Sequence, residues 1–154
     1  MFSKDELRNR KALFWNEFRA IMTLERSASG RKVNWINYNS GIKFLFIRLD
    51  ATSKKATFSI DIQPKDDGIR EIIYEQFTEL KRVLENEFLE PANWQQHHVL
   101  PNQQEISRIY WELDNVNMFK QEDKQKIFDF FRINLLSFDR FYSEYNEILI
   151  SLAR

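Results

Sequence analysis

The sequence contains no cysteine, which excludes disulfide bonds, thiolate metal sites and cysteine nucleophiles and leaves the redox compartment undetermined. It has only three glycines, and it contains neither a glycine-rich phosphate loop nor a Gly-x-Ser-x-Gly nucleophile elbow. It also has only three prolines, and no low-complexity stretch resembles a linker. A chain of 154 residues without a linker or an internal repeat is expected to form a single domain, residues 1–154.

Net charge is also lacking, because 23 basic side chains are balanced by 23 acidic ones. No overall field attracts such a protein to nucleic acid or to an anionic membrane, so any basic binding surface must be local. No apolar run approaches the roughly 18 residues that a membrane span requires. Asp5 and Glu6 stand where a secretory signal would have its apolar core. We therefore expect a soluble, cytoplasmic protein with no membrane partner.

Aromatic residues are abundant, with 14 Phe, 5 Tyr and 4 Trp in a chain that is 43% hydrophobic, which is ample for a packed core. Ser3 and Glu6 have the spacing of a capping box and predict a first helix that runs to about Glu25. Three strands are then predicted from alternation and turn residues, at residues 33–38, 42–50 and 56–63.

The second half of the chain repeats this change of pattern. Asp66 or Asp67 can cap a second helix, whose apolar period continues to Phe88. Two more strands are predicted after it, at residues 94–100 and 105–113, joined by a turn that contains proline.

The last predicted helix runs from Glu122 to nearly the end of the chain. Unbroken, it would reach about 45 Å, longer than a domain of this size is wide, so a bend is expected near Asn134 or Ser137. Short hairpin links favour antiparallel pairing. The sequence therefore predicts an α+β fold with an antiparallel sheet of about five strands, in the order helix, three strands, helix, two strands, long C-terminal helix.

Several segments spread over nearly the whole chain carry a family likeness. They are KVNWINYNSGIKF, LDATSKKA, EQFTELKRVLE, and ISRIYWEL followed by Asn115-Val116-Asn117. Together they resemble the bacterial family called domain of unknown function 4268, although Asp114-Asn115 stands where a glycine is more usual. The resemblance implies a domain that occurs alone or at the C-terminus of larger proteins linked to nucleic-acid roles. It implies no catalytic residue, because the family has no established activity.

Asp50 and Asp61, on consecutive predicted strands, suggest a metal-dependent nuclease, whose two ions lie within about 4 Å of each other. The loop at residues 52–55 sets a register that pairs apolar residues, Leu45 with Ile62, Ile47 with Ile60 and Leu49 with Phe58. Asp61 then lies opposite Phe46, about 14 Å along the strands from Asp50, too far to share a metal. Gln63 also replaces the lysine that such a site uses, so no catalytic residue is predicted here.

No metal ion or cofactor is predicted elsewhere. His97 and His98 are the only histidines, and as neighbours on a strand they point to opposite faces, whereas a zinc site requires three or four converging ligands. The apolar segment 128–136 is assigned to the core, with a homodimer interface as the alternative.

A mixed aromatic and polar sheet face remains. Pairing the first hairpin through residues 39–41 places Trp35 on the core side. The candidate binding residues on the opposite face are Asn34, Tyr38, Arg48, Asp61, Arg108 and Tyr110. Two interpretations stay open. In the structural one, a helix covers the apolar part and Arg48 bonds Asp61 diagonally. In the functional one, bases or aromatic side chains of a partner stack on the face, and Arg48 and Arg108 meet phosphate or carboxylate.

The leading functional hypothesis is a non-enzymatic interaction module whose partner is a protein or a nucleic acid. The family resemblance tilts it toward nucleic-acid transactions. A divergent metal-dependent nuclease and a homodimeric structural protein are the alternatives. Substrate, partner, pathway and oligomeric state do not follow from the sequence.

Overall fold

The computed structural model describes residues 2–154 and has one four-stranded sheet with helices packed on it. In chain order the elements are α1 (Lys4–Met22), β1 (Leu45–Ala51), β2 (Lys55–Ile62), α2 (Asp67–Glu79), α3 (Lys81–Asn86), β3 (Asn93–Val99), β4 (Glu105–Asp114) and α4 (Gln121–Ala153). The predicted α+β class is confirmed. Nowhere in residues 2–154 is a helix both long enough and apolar enough to cross a bilayer.

The sheet is antiparallel throughout, in the order β1-β2-β4-β3. The register between β1 and β2 is the predicted one, with Leu45 opposite Ile62, Ile47 opposite Ile60 and Leu49 opposite Phe58. Apolar side chains selected this register because a shift of one residue would turn the buried face of β1 toward solvent. The sheet has four strands, and the prediction of about five is corrected accordingly.

The missing strand is the predicted one at residues 33–38, which forms turns instead. Here polar side chains bond the nearby backbone: Asn34 Oδ1 accepts from the N–H of Asn37 at 3.2 Å, and Asn39 Oδ1 accepts from the N–H of Gly41 at 2.9 Å. Such local bonds offer the backbone an alternative to a sheet ladder. Gly41 does adopt the expected left-handed conformation, with φ +78°.

The second helix also differs from the prediction. The second helix is divided at Leu80 into α2 and α3, just after Thr78, whose hydroxyl bonds the carbonyl of Tyr74, a contact that bends helices. α4 continues as one helix of 33 residues, so it is not interrupted at Asn134 or Ser137, near which a bend was expected. Packing against the core stabilises the continuous helix, because most of its apolar side chains between Ile127 and Leu149 are buried.

One cluster of buried side chains lies between the sheet and the helices. Phe131 and Phe138 of α4 are fully buried in it, and Phe138 packs on Phe58 of β2 with 6.4 Å between ring centroids. Trp35, only 3% exposed, belongs to the same cluster, as predicted. The apolar segment 128–136 therefore lies against the core, which was the preferred of its two interpretations.

Asn115 has a left-handed backbone conformation, with φ 59°. Asparagine tolerates that conformation better than other residues with a side chain. We expect Asn115→Ala to lower the free energy of unfolding by about 1 kcal/mol, because alanine is strained at positive φ. Urea denaturation measures this. Asn115→Gly is the control and should stay within about 0.5 kcal/mol of the parent, since glycine adopts this φ freely. Equal losses in both variants would contradict the conformational explanation.

Candidate functional site

The sheet face that points away from the core cluster, here called the outer face, forms the floor of a wide trough. Its side chains come from alternate positions of the strands: Phe46, Arg48 and Asp50 of β1, Thr57, Ser59 and Asp61 of β2, Arg108, Tyr110 and Glu112 of β4, and Gln95 of β3. The trough has a volume of about 1300 Å³. Residues 36–38 form one wall, and the β3–β4 loop, residues 100–103, forms another. The outer face is thus concave and open.

At the centre of the outer face, one buried carboxylate binds two arginines. Asp61 is fully buried, and its Oδ1 and Oδ2 accept from Nε and Nη2 of Arg108 at 2.8 and 2.9 Å. Its Oδ2 also accepts from Nη1 of Arg48 at 2.8 Å. We call Arg48, Asp61 and Arg108 the arginine cluster.

The register explains why these three side chains meet. Arg108 lies directly opposite Asp61 on the neighbouring strand, and Arg48 is the diagonal neighbour on the other side, because Asp61 pairs with Phe46. The two-pronged contact from Arg108 is the strongest geometry that an arginine makes with a carboxylate. The cluster is therefore built into the sheet, and its two cations exceed its one anion.

Arg48 keeps hydrogen-bonding capacity. Its side chain is 37% exposed, and only its Nη1 bonds Asp61, so in residues 2–154 its Nε and Nη2 have no hydrogen-bond partner. These two N–H groups form the other edge of the guanidinium fork, which matches a second carboxylate or a phosphate. The guanidinium also lies over the ring of Phe46, 4.5 Å from its centroid, which limits its motion.

The rest of the outer face is polar but balanced in charge. Lys55 bonds Glu112 at 3.1 Å near one end of the trough, and Tyr110 contributes a half-buried ring. Counted together with the arginine cluster, Asp50, Lys55 and Glu112 bring the face to three basic and three acidic side chains. A partner that binds here therefore meets a locally positive centre on a neutral face.

Four of the six candidate residues meet on the outer face: Arg48, Asp61, Arg108 and Tyr110. The other two were expected there only because residues 33–38 were expected to be a strand, and that placement is wrong. Asn34 is exposed in a turn outside the trough. Tyr38 borders the trough, but its hydroxyl donates to Oδ1 of Asp139 on α4 at 2.7 Å.

Asp139 is a second buried carboxylate, and it attaches the segment before β1 to α4. It is 1% exposed and accepts from Ser27 Oγ at 2.9 Å and from the N–H of Ala28 at 2.6 Å, in addition to the hydroxyl of Tyr38. Burial, and next the bond to Asp139, raise the pKa of Tyr38 far above its ordinary value. Tyr38 is thus a neutral donor that fixes one wall of the trough.

The two histidines lie on opposite faces, as predicted. His98 borders the trough, whereas His97 contacts Glu105, which also bonds the buried Arg70 of α2 at 3.3 Å. Burial, and next the charge of Arg108, lower the pKa of His98, while Asp61 raises it. The pKa of His98 therefore reports on the charges of the arginine cluster.

We expect Arg108→Gln to raise the pKa of His98. The substitution removes the positive charge that lowers this pKa, and it leaves the negative charge of Asp61, which raises it. An NMR titration of the imidazole measures it, in a His97→Gln background that leaves one histidine. Arg82→Gln, an exposed site on α3, serves as the control and should leave the pKa unchanged. An unchanged value in Arg108→Gln would show that the guanidinium does not act on His98.

The described residues of the outer face do not form a cluster of metal ligands. Among residues 2–154, no three His, Asp or Glu side chains are placed to share an ion. Asp50 pairs with Thr57 and Asp61 with Phe46, four ladder positions apart, or about 14 Å, as the register predicted. The oxygens of Asp61 already accept from two arginines, so the geometry gives the nuclease alternative no support.

Two parts of the trough were not predicted. The β3–β4 loop forms a wall, and His98 borders the floor because β3 has a register irregularity between Gln95 and His98. A bulge changes the alternation of side chains, and nothing in the sequence fixes its position. The contacts of Tyr38 with Asp139 also join residues 101 positions apart, which no local pattern signals.

Comparison with known proteins gives one match. A family model described as domain of unknown function (DUF4268) matches residues 10–146. No curated protein and no solved structure matches the chain.

Proposed function

Since the chain belongs to the DUF4268 family, whose description names no activity, we propose from its geometry that it is a non-enzymatic interaction module that binds its partner on the outer face. The arginine cluster carries the proposal. Asp61 holds two arginines at the floor of an open trough, and one of them keeps two N–H groups free. Fixed, partly desolvated arginines beside aromatic rings are the groups that dominate binding energy at interfaces.

The composition of the outer face supports a protein partner more than a nucleic acid. Nucleic-acid binding draws on a local excess of Lys and Arg that neutralises several phosphates, whereas here three basic side chains face three acidic ones. A charge-balanced rim around an arginine and aromatic centre is typical of protein interfaces. If the family's link to nucleic-acid transactions holds for this protein, it acts there by binding another protein rather than by binding the nucleic acid itself.

Site-specific photocrosslinking in cells tests the proposal. A photoreactive phenylalanine analogue replaces Tyr110 on the outer face, or Leu89, which is 80% exposed and lies outside the trough lining, as the matched control. We expect a discrete crosslinked protein from position 110 and none at the same mass from position 89. Arg48→Gln should weaken the binding of that protein about tenfold, while Arg82→Gln leaves it unchanged.

Fluorescent single-stranded and double-stranded DNA and RNA form the second arm of the experiment. Tight binding to any of them that Arg48→Gln abolishes would replace the protein partner with a nucleic acid. If neither a crosslink at position 110 nor nucleic-acid binding depends on Arg48, the outer face is not a binding surface and the proposed function is wrong.

A further inference from the structure

We propose that the partner is an extended peptide segment that adds a fifth strand antiparallel to β1 and places an acidic side chain on Arg48. This inference rests on the proposed function and specifies its partner. It combines two observations on neighbouring groups: the unpaired backbone edge of β1 and the free edge of the Arg48 guanidinium.

The backbone edge follows from the hydrogen-bond alternation of an antiparallel pair. The bonds from Gln63 N–H to the Phe44 carbonyl and from Thr52 N–H to the Lys55 carbonyl, 2.8 and 2.9 Å, fix which positions of β1 face β2. Phe46, Arg48 and Asp50 therefore bond β2, and the residues between them direct their N–H and C=O groups outward.

Ile47 and Leu49 carry the outward groups. Throughout residues 2–154, no loop backbone bonds Ile47 or Leu49. β1 is an edge strand of the sheet, and such an edge is a template for another strand. Its neighbour Leu45 differs, because its N–H bonds Ile42 and its carbonyl accepts from Ser40 Oγ. The unpaired stretch thus begins after Leu45.

Space lies beside this stretch. Ile47 and Leu49 border the trough together with Ile36, Asn37 and Tyr38 from the opposite wall. The bond from Tyr38 to Asp139 and the bond from the N–H of Asn37 to Asn34 fix the position of this wall. An added strand would therefore lie inside the trough, between the edge of β1 and the wall formed by residues 36–38.

Charge complementarity then selects the side chain. In the added strand, the residue opposite Arg48 points to the outer face, because side chains of paired strands share a face. It meets the free Nε and Nη2 of Arg48, and the arginine cluster has one cation in excess. A carboxylate balances that charge and fits the fork, whereas a dianionic phosphate would bring an excess negative charge beside Asp61 and Asp50.

A peptide array tests the inference directly. The probes are seven-residue peptides that alternate threonine with valine or leucine and carry glutamate, glutamine, lysine or phosphoserine at the centre. We expect glutamate peptides to bind roughly fivefold more tightly than glutamine ones, a modest preference because Arg48 is part exposed. Arg48→Gln should remove that preference, and Arg82→Gln should retain it.

Backbone pairing is tested on the peptide, so that the protein stays intact. N-methylation of the two residues that flank the central glutamate removes the N–H groups facing Ile47 and Leu49, and we expect binding to fall at least about tenfold. N-methylation of the central residue itself should have little effect, because its N–H points away from β1.

Three outcomes of the peptide experiments overturn the inference. They are equal loss from both N-methylation patterns, a preference for phosphoserine over glutamate, and no binding by any peptide at about 1 mM. A crosslinked partner at position 110 that tolerates changes along β1 would keep the proposed function and reject strand addition alone. A dimer in sedimentation whose interface is β1 would assign the edge to a second copy and overturn the inference as well.

Discussion

Replacing both arginines of the cluster, in the double variant Arg48→Met with Arg108→Met, is expected to lower the free energy of unfolding by about 3 kcal/mol. Asp61 would then remain at a fully buried position without a cation or a hydrogen-bond donor from either side chain. The expected loss stands at the lower end of the range for a broken buried pair. Arg48 and Arg108 are themselves 37% and 19% exposed, so their removal admits water to Asp61.

The triple variant separates the charge from the packing. Adding Asp61→Leu removes the carboxylate, and most of the lost stability should return, because an apolar replacement of a whole buried cluster is close to neutral. Urea denaturation of the single, double and triple variants measures these differences. The control is Arg8→Met with Arg82→Met, two exposed positions where a change within about 0.5 kcal/mol is expected. A double variant no less stable than this control would show that Asp61 does not depend on the arginines.

The arginine cluster shows how far sequence reasoning reaches. The contact of Arg48 with Asp61 was predictable, because the loop at residues 52–55 and the apolar positions of both strands fix one register. The stronger contact, from Arg108, depends on β4 lying beside β2. That order is set by how α2, α3 and β3 cross between the two strands, and local pattern does not determine it.

The segment before β1 shows the opposite outcome. Val33 and Trp35, two positions apart, gave it the alternation of a strand. Its asparagines instead bond the nearby backbone, and Tyr38 bonds α4. Local polar bonds and one distant carboxylate outweighed β propensity, which is a weak, context-dependent preference. Trp35 still reached the core, because burial of a large apolar side chain is favourable whichever backbone conformation carries it.

Asp139 is the distant carboxylate in question, and Asp139→Ala is expected to lower the free energy of unfolding by about 3 kcal/mol. The substitution leaves the hydroxyls of Ser27 and Tyr38 and the N–H of Ala28 without their acceptor in a largely buried site. Asp129→Ala, at an exposed position of the same helix, is the control and should cost less than about 0.5 kcal/mol.

Besides this overall loss, one segment should open more easily, because the side-chain hydrogen bonds of Asp139 within residues 2–154 all join α4 to the segment before β1. Hydrogen exchange in Asp139→Ala should therefore accelerate most in residues 27–40. The amides of β2 and β4 should still exchange only through global unfolding.

Tyr38→Phe should cost about 1 kcal/mol in the parent and much less in Asp139→Ala, since the two changes remove the same bond. Additive costs would mean that Tyr38 and Asp139 act independently. With the wall at residues 36–38 released, peptides should also bind the edge of β1 more weakly, because the trough there is shaped by that bond.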